Sequence, residues 1–224
     1  YSLKGKRRWD NLINSDCKLL FGTKYTLIRS EFVQEKKILI KKKGVINRIF
    51  ISFGGSDKIN LTGEALDALE SLNRRDIFID VVMSKNNPNI FKIRKKLKKK
   101  KNFQLHIQPR NIAKLMNKAD ISIGAGGTMI WERCYLGLPS LIISIANNQI
   151  KQSAAVDSYG AAVDLGIYQK NTRKKIIKHL QRIINNKKLI LSMSRKSLKL
   201  MKISKKCQNY NSTKFVSDSI IKIL

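Results

Sequence analysis

Two glycine-rich segments hold the residue types best suited to chemistry in this sequence. "GGSD" occupies residues 54–57, and "GAGGT" occupies residues 124–128. Because glycine has no Cβ, an anion such as a pyrophosphate can approach the backbone N–H groups of these segments and accept hydrogen bonds from them. The pattern therefore predicts an anion-binding site made of backbone amides. The alternative is that each segment is only a tight turn from a strand into a helix.

Glu132 lies inside the helical pattern that follows the second segment. It comes four residues after Thr128, whereas the carboxylate of a capping box comes three residues after the cap. Thr128 and Glu132 therefore share one face of the helix. One hypothesis is that Glu132 accepts hydrogen bonds from ribose hydroxyls, as acidic residues do in dinucleotide-binding folds. The other is that it is a first-turn glutamate that gains about 0.5 kcal/mol from the helix dipole.

The remaining titratable candidates favour structural roles. His106 lies in a strand-like run, which indicates a packed residue, and His179 lies on a basic helical pattern, which indicates a solvated one. Asp57 is either a general base or, as is more common after a Gly-Gly-Ser turn, a turn or capping residue. The sequence shows no Ser/His/Asp arrangement, zinc-binding motif or carboxylate pair. We therefore predict neither a catalytic triad nor a metal centre.

Five short apolar runs rich in β-branched residues alternate with helical patterns. The runs lack clean polar/apolar alternation, which is typical of parallel strands buried on both faces. They cover residues 48–53, 77–83, 102–107, 119–125 and 140–146. Strand and helix follow one another in turn, so the predicted fold class is α/β, a parallel sheet flanked by helices with right-handed crossovers.

The helical patterns complete these units. Apolar residues recur at helical spacing over residues 61–72, with Asn60 as the predicted N-cap. Further helices are expected after residues 86–89, over residues 111–118, and within the segment that contains Glu132.

Polar and glycine-rich motifs follow four of the five strands. The carboxyl ends of parallel strands meet at one edge of a sheet, where ligands bind. The motifs are therefore expected to form one rim; they occupy residues 54–57, 108–112, 124–128 and 146–149.

The chain divides into three parts by pattern. Residues 1–44, with a strand-like piece at 17–23, are expected to be the end of a truncated N-terminal domain plus a linker, because the chain begins at Tyr1 and not at methionine. Residues 45–170 hold the sheet. Residues 171–224 show helical periodicity without strands and are expected to form a tail of two or three helices that packs on the domain.

The charge of the chain is strongly basic. Lysine and arginine number 46 against 15 acidic residues, a net charge of +31. This balance is compatible with nucleic-acid binding, or with a lysine-rich composition that runs through every element. The dense basic run at residues 92–101 lies where a helix should end, where it complements the dipole, and it contains no interleaved aromatic residues for base stacking. We expect weak, salt-sensitive binding to polyanions and no specific nucleic-acid partner.

Cysteine usage and hydropathy favour a cytoplasmic location. The three cysteines are far apart and form no C-x-x-C pair, which fits a reducing compartment. No apolar run approaches the roughly 20 residues that span a bilayer, so no membrane span is predicted.

Three stretches together resemble a known family. They are "YTLIRSEF" (25–32), "FISFGGSDKINLT" (50–62) and "NIAKLMNKADISIGAGGTMIWERCYLGLPSLIISIANNQ" (111–149). In wording and order they resemble the UDP-2,4-diacetamido-2,4,6-trideoxy-β-L-altropyranose hydrolases of pseudaminic acid biosynthesis. That family is related to the peptidoglycan N-acetylglucosaminyltransferase and shares its GT-B architecture of two Rossmann-like domains. The resemblance covers about residues 1–168.

The resemblance implies that this chain is the C-terminal, UDP-binding half of a GT-B fold. The partners implied are a UDP-sugar substrate and the missing N-terminal domain of the same chain, and neither a cofactor nor a metal is implied. Asn148 is implied, in addition, as a positioning residue for catalysis. The implied contacts are Ile112 with uracil through its backbone and Met116 nearby, Glu132 with ribose, Gly127 and Thr128 with the diphosphate, Gly55 and Ser56 across the phosphates, and Asn148 and Gln149 with the sugar.

The sequence departs from the family at the general base. In the family this is a histidine in a glycine-rich turn near the native N-terminus, and neither His106 nor His179 has that context. We therefore expect this chain to bind UDP or a UDP-sugar and to turn over poorly or not at all, while its full-length parent is the hydrolase. The alternatives are a GT-B glycosyltransferase that uses a UDP-sugar donor and, more remotely, a basic nucleic-acid-binding domain. "YTLIRSEF" favours the hydrolase.

Overall fold

A six-stranded parallel sheet forms the centre of the chain. The computed structural model describes residues 11–14, 16–20, 22–201 and 212–221, and all statements below concern these residues. The strands are β1 Arg48–Ser52, β2 Phe78–Met83, β3 Phe103–Ile107, β4 Ile121–Ala125, β5 Ser140–Ser144 and β6 Ala162–Ile167. All neighbouring pairs are parallel, which confirms the predicted fold class and the five predicted strands.

The sixth strand was not predicted from the sequence. Asp164 and Gly166 interrupt its apolar pattern, and its register against β5 shifts between Ile142 and Ser144. β6 lies at the edge of the sheet, where irregular pairing is tolerated.

Helices cover both faces of the sheet. They are α1 Ser30–Lys37, α2 Leu61–Ser71, α3 Ile90–Leu97, α4 Ile112–Lys118, α5 Met129–Tyr135, α6 Asn147–Ser158, α7 Thr172–Ile184, α8 Lys187–Leu200 and α9 Ser212–Ile221. The last three confirm the helical tail, whereas α1 and α6 were not predicted. None of these helices is long and apolar enough to cross a membrane.

The strand predicted at residues 17–23 is wrong for the residues that the structure describes there. Residues 17–20 are irregular, and Thr23–Tyr25 form a short 3-10 turn. A strand needs a hydrogen-bonded neighbour to be stable, and no described strand pairs with this segment.

The strand order reverses once across the sheet. The order is β3-β2-β1-β4-β5-β6, so the chain builds outward from β1 in one direction and outward from β4 in the other. This reversal between β1 and β4 is a topological switch point, the place where open α/β sheets bind ligands beyond the carboxyl ends of their strands.

Two apolar layers enclose the sheet. Ile49 and Ile51 of β1 pack in a cluster with α2, α3 and α7, while Phe50 between them packs in a second cluster with α1, α4 and α5. The second cluster includes Phe32 of α1 and Leu200 of α8, so elements outside residues 45–170 share a core with the sheet. The boundaries at residues 44 and 170 remain a prediction.

The start of α2 is capped as the sequence predicts. The Asn60 side chain accepts a hydrogen bond from the Gly63 N–H at 3.3 Å. Asp57 adds a second cap: its carboxylate accepts from the N–H groups of Leu61 and Thr62 at 2.8 and 2.9 Å. This supports the capping role that the sequence favoured for Asp57.

Two lysines tie the segment around α1 to the ends of neighbouring helices. Lys36 Nζ donates to the carbonyl of Tyr135, the last residue of α5, and Lys42 Nζ donates to the carbonyl of Asn117 in the last turn of α4, both at 2.7 Å. Cations at these positions complement the negative end of a helix. Burial lowers the pKa of each lysine from 10.5 to about 8.

These two lysines predict a pH dependence of stability. Between about pH 8 and pH 10.5 the unfolded chain binds more protons than the folded chain at these positions, so the free energy of unfolding rises with pH there. Lys42→Met should reduce that rise, by at most about 1.4 kcal/mol per pH unit. Urea unfolding at pH 8, 9 and 10 measures it. Lys43→Met, at an exposed neighbouring position, is the control, and equal slopes for Lys42→Met and the wild type would contradict the prediction.

Candidate functional site

Among the described residues, backbone amides without a protein acceptor occur in both loops at the switch point. Ser52 pairs with Gly124 in the sheet, so the loops after β1 and β4 leave neighbouring strands at the same edge. Four N–H groups in these loops donate to no protein acceptor in the described part of the chain. They belong to Gly55, Ser56, Gly127 and Thr128. The arrangement offers donors from two strands to one anion.

The glycines of these loops fall into two groups. A Cβ at Gly124 would collide with the Ser52 carbonyl, and a Cβ at Gly126 would collide with the Ser153 hydroxyl, so packing alone requires these two glycines. A Cβ at Gly55 would meet nothing within 4 Å, and a Cβ at Gly127 would meet only Gln149 Nε2 at 3.8 Å. Neither Gly55 nor Gly127 has a left-handed φ. Packing therefore explains Gly124 and Gly126, whereas neither packing nor a left-handed φ explains Gly55 and Gly127.

Thr128 precedes α5 without capping it. Its backbone is already helical, with φ −55° and ψ −29°, and its hydroxyl makes no capping hydrogen bond. The side chain is exposed at the rim of the sheet. Its hydroxyl is therefore available to a ligand, together with its N–H.

Glu132 forms a bidentate ion pair that the sequence analysis did not anticipate. Arg29 Nε donates to Oε1 at 2.6 Å, and Arg29 Nη2 donates to Oε2 at 3.0 Å. Glu132 is 8% exposed, while half of the Arg29 side chain remains exposed. The hydrogen bond to Glu132 raises the pKa of Arg29 above its ordinary value. Arg29 lies in "YTLIRSEF", the stretch already recognised in the family resemblance, and that stretch was the available signal.

The same arginine connects Glu132 to the start of α4. Arg29 Nη1 lies 2.8 Å from Glu31 Oε1, and Glu31 Oε2 accepts a hydrogen bond from the Ala113 N–H at 3.3 Å. Ala113 follows Ile112, the residue expected to meet uracil. The contacts Glu132–Arg29–Glu31–Ala113 thus connect α5 to the first turn of α4.

Met116 differs from the other expected contacts in its complete burial. It is fully buried in the apolar cluster with Phe32 and Ile130, so it offers no surface to a ligand in this conformation. Ile112, four residues earlier, is partly exposed at the first turn of α4. The two residues lie one helical turn apart on the same face of α4 and pack against the same apolar cluster, so they differ in depth along the helix, which spacing alone does not decide.

The start of α6 supplies amide side chains to the rim. Asn148 is exposed, and Gln149 accepts a hydrogen bond from the Ile145 N–H at 3.0 Å. Gln149 Nε2 is also the one atom of the described residues that a Cβ built on Gly127 would contact, at 3.8 Å. Gln152, which was not predicted, donates to the Gly126 carbonyl and so holds the loop after β4.

Neither histidine stands free at the rim. His106 Nε2 lies 2.8 Å from Asp80 Oδ1, and Asp80 is fully buried and also accepts from Arg48 at 2.5 Å. His179 lies on α7; burial and the nearby Arg182 lower its pKa. Both observations agree with structural roles.

A sizeable cavity lies at the opposite edge of the sheet, away from the glycine loops. It measures about 650 Å³ and is lined near the starts of β2 and β3 by Ile77, Phe103 and a basic group that includes Lys100. Lys100 pairs with Glu70 at 2.8 Å, and the basic run ends α3 as predicted. Because the cavity is on the amino-end side of the strands, it is not the site formed by the glycine loops.

The sheet, its single order reversal and its helical layers form a GT-B-like α/β domain. The chain belongs to the glycosyltransferase family 28 C-terminal domain family, whose model matches residues 48–210.

Comparison with individual proteins supports this assignment. The chain is 34% identical over 141 residues to the UDP-2,4-diacetamido-2,4,6-trideoxy-β-L-altropyranose hydrolase of Campylobacter jejuni, covering 63% of this chain and 49% of that protein. It is 27% identical over 182 residues to the spore coat polysaccharide biosynthesis protein SpsG of Bacillus subtilis, covering 81% of this chain and 53% of that protein. The chain thus spans about half the length of these relatives.

The fold agrees with solved structures. Acinetobacter baumannii MurG superimposes with a TM-score of 0.54 at 17% identity, covering 84% of this chain and 53% of that chain. This likeness confirms the predicted GT-B-like fold, and the Campylobacter jejuni relative confirms the predicted family resemblance.

The Arg29–Glu132 pair should contribute measurably to stability. Removing one partner leaves a nearly buried charge, so the coupling energy in a double-mutant cycle with Arg29→Met and Glu132→Gln should be about 1–2 kcal/mol. Urea unfolding of the four proteins measures it.

The Arg74–Asp76 pair is a matched control for that cycle. It has the same bidentate geometry, at 2.8 and 2.6 Å, but both side chains are exposed. Exposed pairs contribute less than about 1 kcal/mol. A coupling energy for Arg29–Glu132 no larger than that of the control would show that burial does not strengthen the pair.

Proposed function

We propose that this chain binds the UDP part of a UDP-sugar at the carboxyl ends of β1 and β4, in a nucleotide-sugar hydrolase of pseudaminic acid biosynthesis. The substrate class is that named for the Campylobacter jejuni relative, a UDP-linked 2,4-diacetamido-trideoxy sugar. A second relative, from Helicobacter pylori, carries the same hydrolase name and is 25% identical over 183 residues.

One observation carries the nucleotide part of the proposal. Four N–H groups without a protein acceptor among the described residues lie in the loops that follow two neighbouring strands, and the fold itself does not require glycine at Gly55 or Gly127. A diphosphate explains both facts, because it accepts several hydrogen bonds and needs a close approach to the backbone. The amides of Gly127 and Thr128 bind one side of the diphosphate, and those of Gly55 and Ser56 bind the other.

The contacts that join Glu132, Arg29, Glu31 and Ala113 suggest where the ribose and the uracil bind. An ionised carboxylate has about four acceptor positions, and Arg29 occupies two of those of Glu132. The remaining positions accept the ribose hydroxyls. Uracil then lies against the first turn of α4 at Ile112, which the Glu31 contact to Ala113 holds in place. Asn148 and Gln149 face the sugar, with Asn148 positioning it for reaction.

The reaction proposed is hydrolysis at the anomeric carbon. A water oxygen forms a bond to that carbon, the bond from the carbon to the diphosphate oxygen breaks, and UDP departs with the electron pair. The loop amides stabilise the negative charge that develops on the departing diphosphate. The proton of the attacking water passes to a general base. We place that base outside the described residues, since His106 is held by Asp80.

A GT-B glycosyltransferase is the second candidate. The description of the matched family, a glycosyltransferase domain, favours it. In that reaction an acceptor hydroxyl takes the place of water, and the nucleotide site is unchanged.

Gly127→Ala tests the amide cradle. The protein has room for the added methyl group, so the unfolding midpoint should stay unchanged or rise slightly. The methyl group occupies the approach of the diphosphate, so the Kd for UDP should rise about 10- to 100-fold. Calorimetry measures binding, and thermal unfolding measures stability.

Gly126→Ala is the matched control for that substitution. The added Cβ would collide with the Ser153 hydroxyl, so this variant should have a lower unfolding midpoint than the wild type and than Gly127→Ala. If Gly127→Ala binds UDP as tightly as the wild type, no diphosphate lies against this loop.

Incubation in ¹⁸O-labelled water separates the two candidate reactions. We expect the longest native form of the protein to release UDP from the UDP-sugar without an acceptor, and ¹⁸O to appear on the sugar and not on UDP. Mass spectrometry of both products measures this. UDP release that occurs only after an acceptor is added would support the transferase and overturn the hydrolase.

A further inference from the structure

Helix α5 buries an arginine with almost no partners. Arg133 is 1% exposed, and Nη2 donates to the Ala125 carbonyl at 2.5 Å. Its Nε and Nη1 atoms are buried and have no hydrogen-bond partner among the described residues. Around it on the helix are the apolar residues Ile130 and Cys134. A guanidinium in such surroundings needs an explanation, because buried polar groups are nearly always satisfied.

The guanidinium lies behind the two glycine loops. Helical side chains lean toward the N-terminus of their helix, so Arg133 reaches back to the end of β4. A Cβ built on Gly124 would come within 3.2 Å of Arg133 Nη2 and would collide with the carbonyl of Ser52. The charge therefore sits where β4 and β1 end together, directly before their loops begin.

No carboxylate of the described chain neutralises this charge by a hydrogen bond. The adjacent Glu132 directs both of its oxygens to Arg29. Burial lowers the pKa of Arg133 to about 10, so the guanidinium is still charged at neutral pH. A buried cation without a counter-ion is destabilising unless a ligand supplies the opposite charge.

We propose that Arg133 is a buried counter-charge for the bound diphosphate and a positioning residue for the loop after β4. It holds the Ala125 carbonyl inward, so that the next peptide groups present N–H and not C=O to the ligand. It also places positive potential beneath the amides of Gly127 and Gly55, where the low-dielectric surroundings weaken its field little. The inference rests on the proposed UDP site and adds a residue that never touches the ligand.

The proposal predicts that Arg133→Met weakens UDP binding without lowering the stability of the unliganded protein. The unliganded variant should be as stable as the wild type or more stable, since an unpaired buried charge is replaced by an apolar side chain of similar length. Its Kd for UDP should rise about tenfold or more, while its Kd for uridine should stay within about twofold. NMR titrations with UDP and uridine, and thermal unfolding without ligand, measure the three quantities.

Cys134→Ala is the control on the same helix. Cys134 is equally buried but uncharged, so its loss should lower stability and leave the ratio of UDP to uridine affinity unchanged. A purely structural Arg133 would behave in the same way, with lower stability and an unchanged ratio. That result for Arg133→Met overturns the proposal.

A second pair of variants decides the matter if Arg133→Met does not fold. Arg133→Lys keeps the charge and should keep most of the preference for UDP over uridine, whereas Arg133→Gln should lose it. Equal ratios in these two variants overturn the counter-charge. Failure of the underlying site is distinguishable, because a wild-type chain that binds UDP no better than uridine has no diphosphate site at all.

Discussion

The pairing of β1 with β4 is the constraint on which the site depends. These strands are separated in sequence by two strand–helix units, yet Ser52 and Gly124 lie opposite each other in the sheet. Because neighbouring parallel strands end at the same edge, the loops that follow them begin side by side. The close approach also requires glycine at position 124, since a Cβ there would strike the Ser52 carbonyl.

Some basic residues of this chain are paired with carboxylates, and others are not. Only 15 acidic residues face 46 basic ones, and two of the acidic residues, Glu31 and Glu132, are bound to Arg29. That ionic chain joins α1, α4 and α5, and it orients Glu132 with two hydrogen bonds. Arg133, one residue later, has no such partner. The ionic groups beside the glycine loops thus include one guanidinium that no carboxylate of the described residues neutralises by a hydrogen bond.

The arrangement illustrates how binding and stability oppose each other at one position. A buried guanidinium without a counter-ion lowers the stability of the free protein, and in our proposal the same charge favours a diphosphate at the loops above it. Burial also disfavours the charged forms of Lys36 and Lys42. Both donate to helix carbonyls, yet burial lowers the pKa of each to about 8. The apolar layers on both faces of the sheet supply the stability that offsets these charges.

The sequence by itself determined the features that depend on local pattern. Five β-branched runs became strands, Asn60 became an N-cap, and the glycine motifs fell at strand ends, because period, side-chain shape and backbone freedom act within a few residues. β6 was not predicted, because Asp164 and Gly166 interrupt its apolar run. Tertiary structure alone decided the strand order, the burial of Met116, and the meeting of Arg29 with Glu132 across 103 positions. Those outcomes depend on which distant surfaces pack together, and no local pattern encodes them.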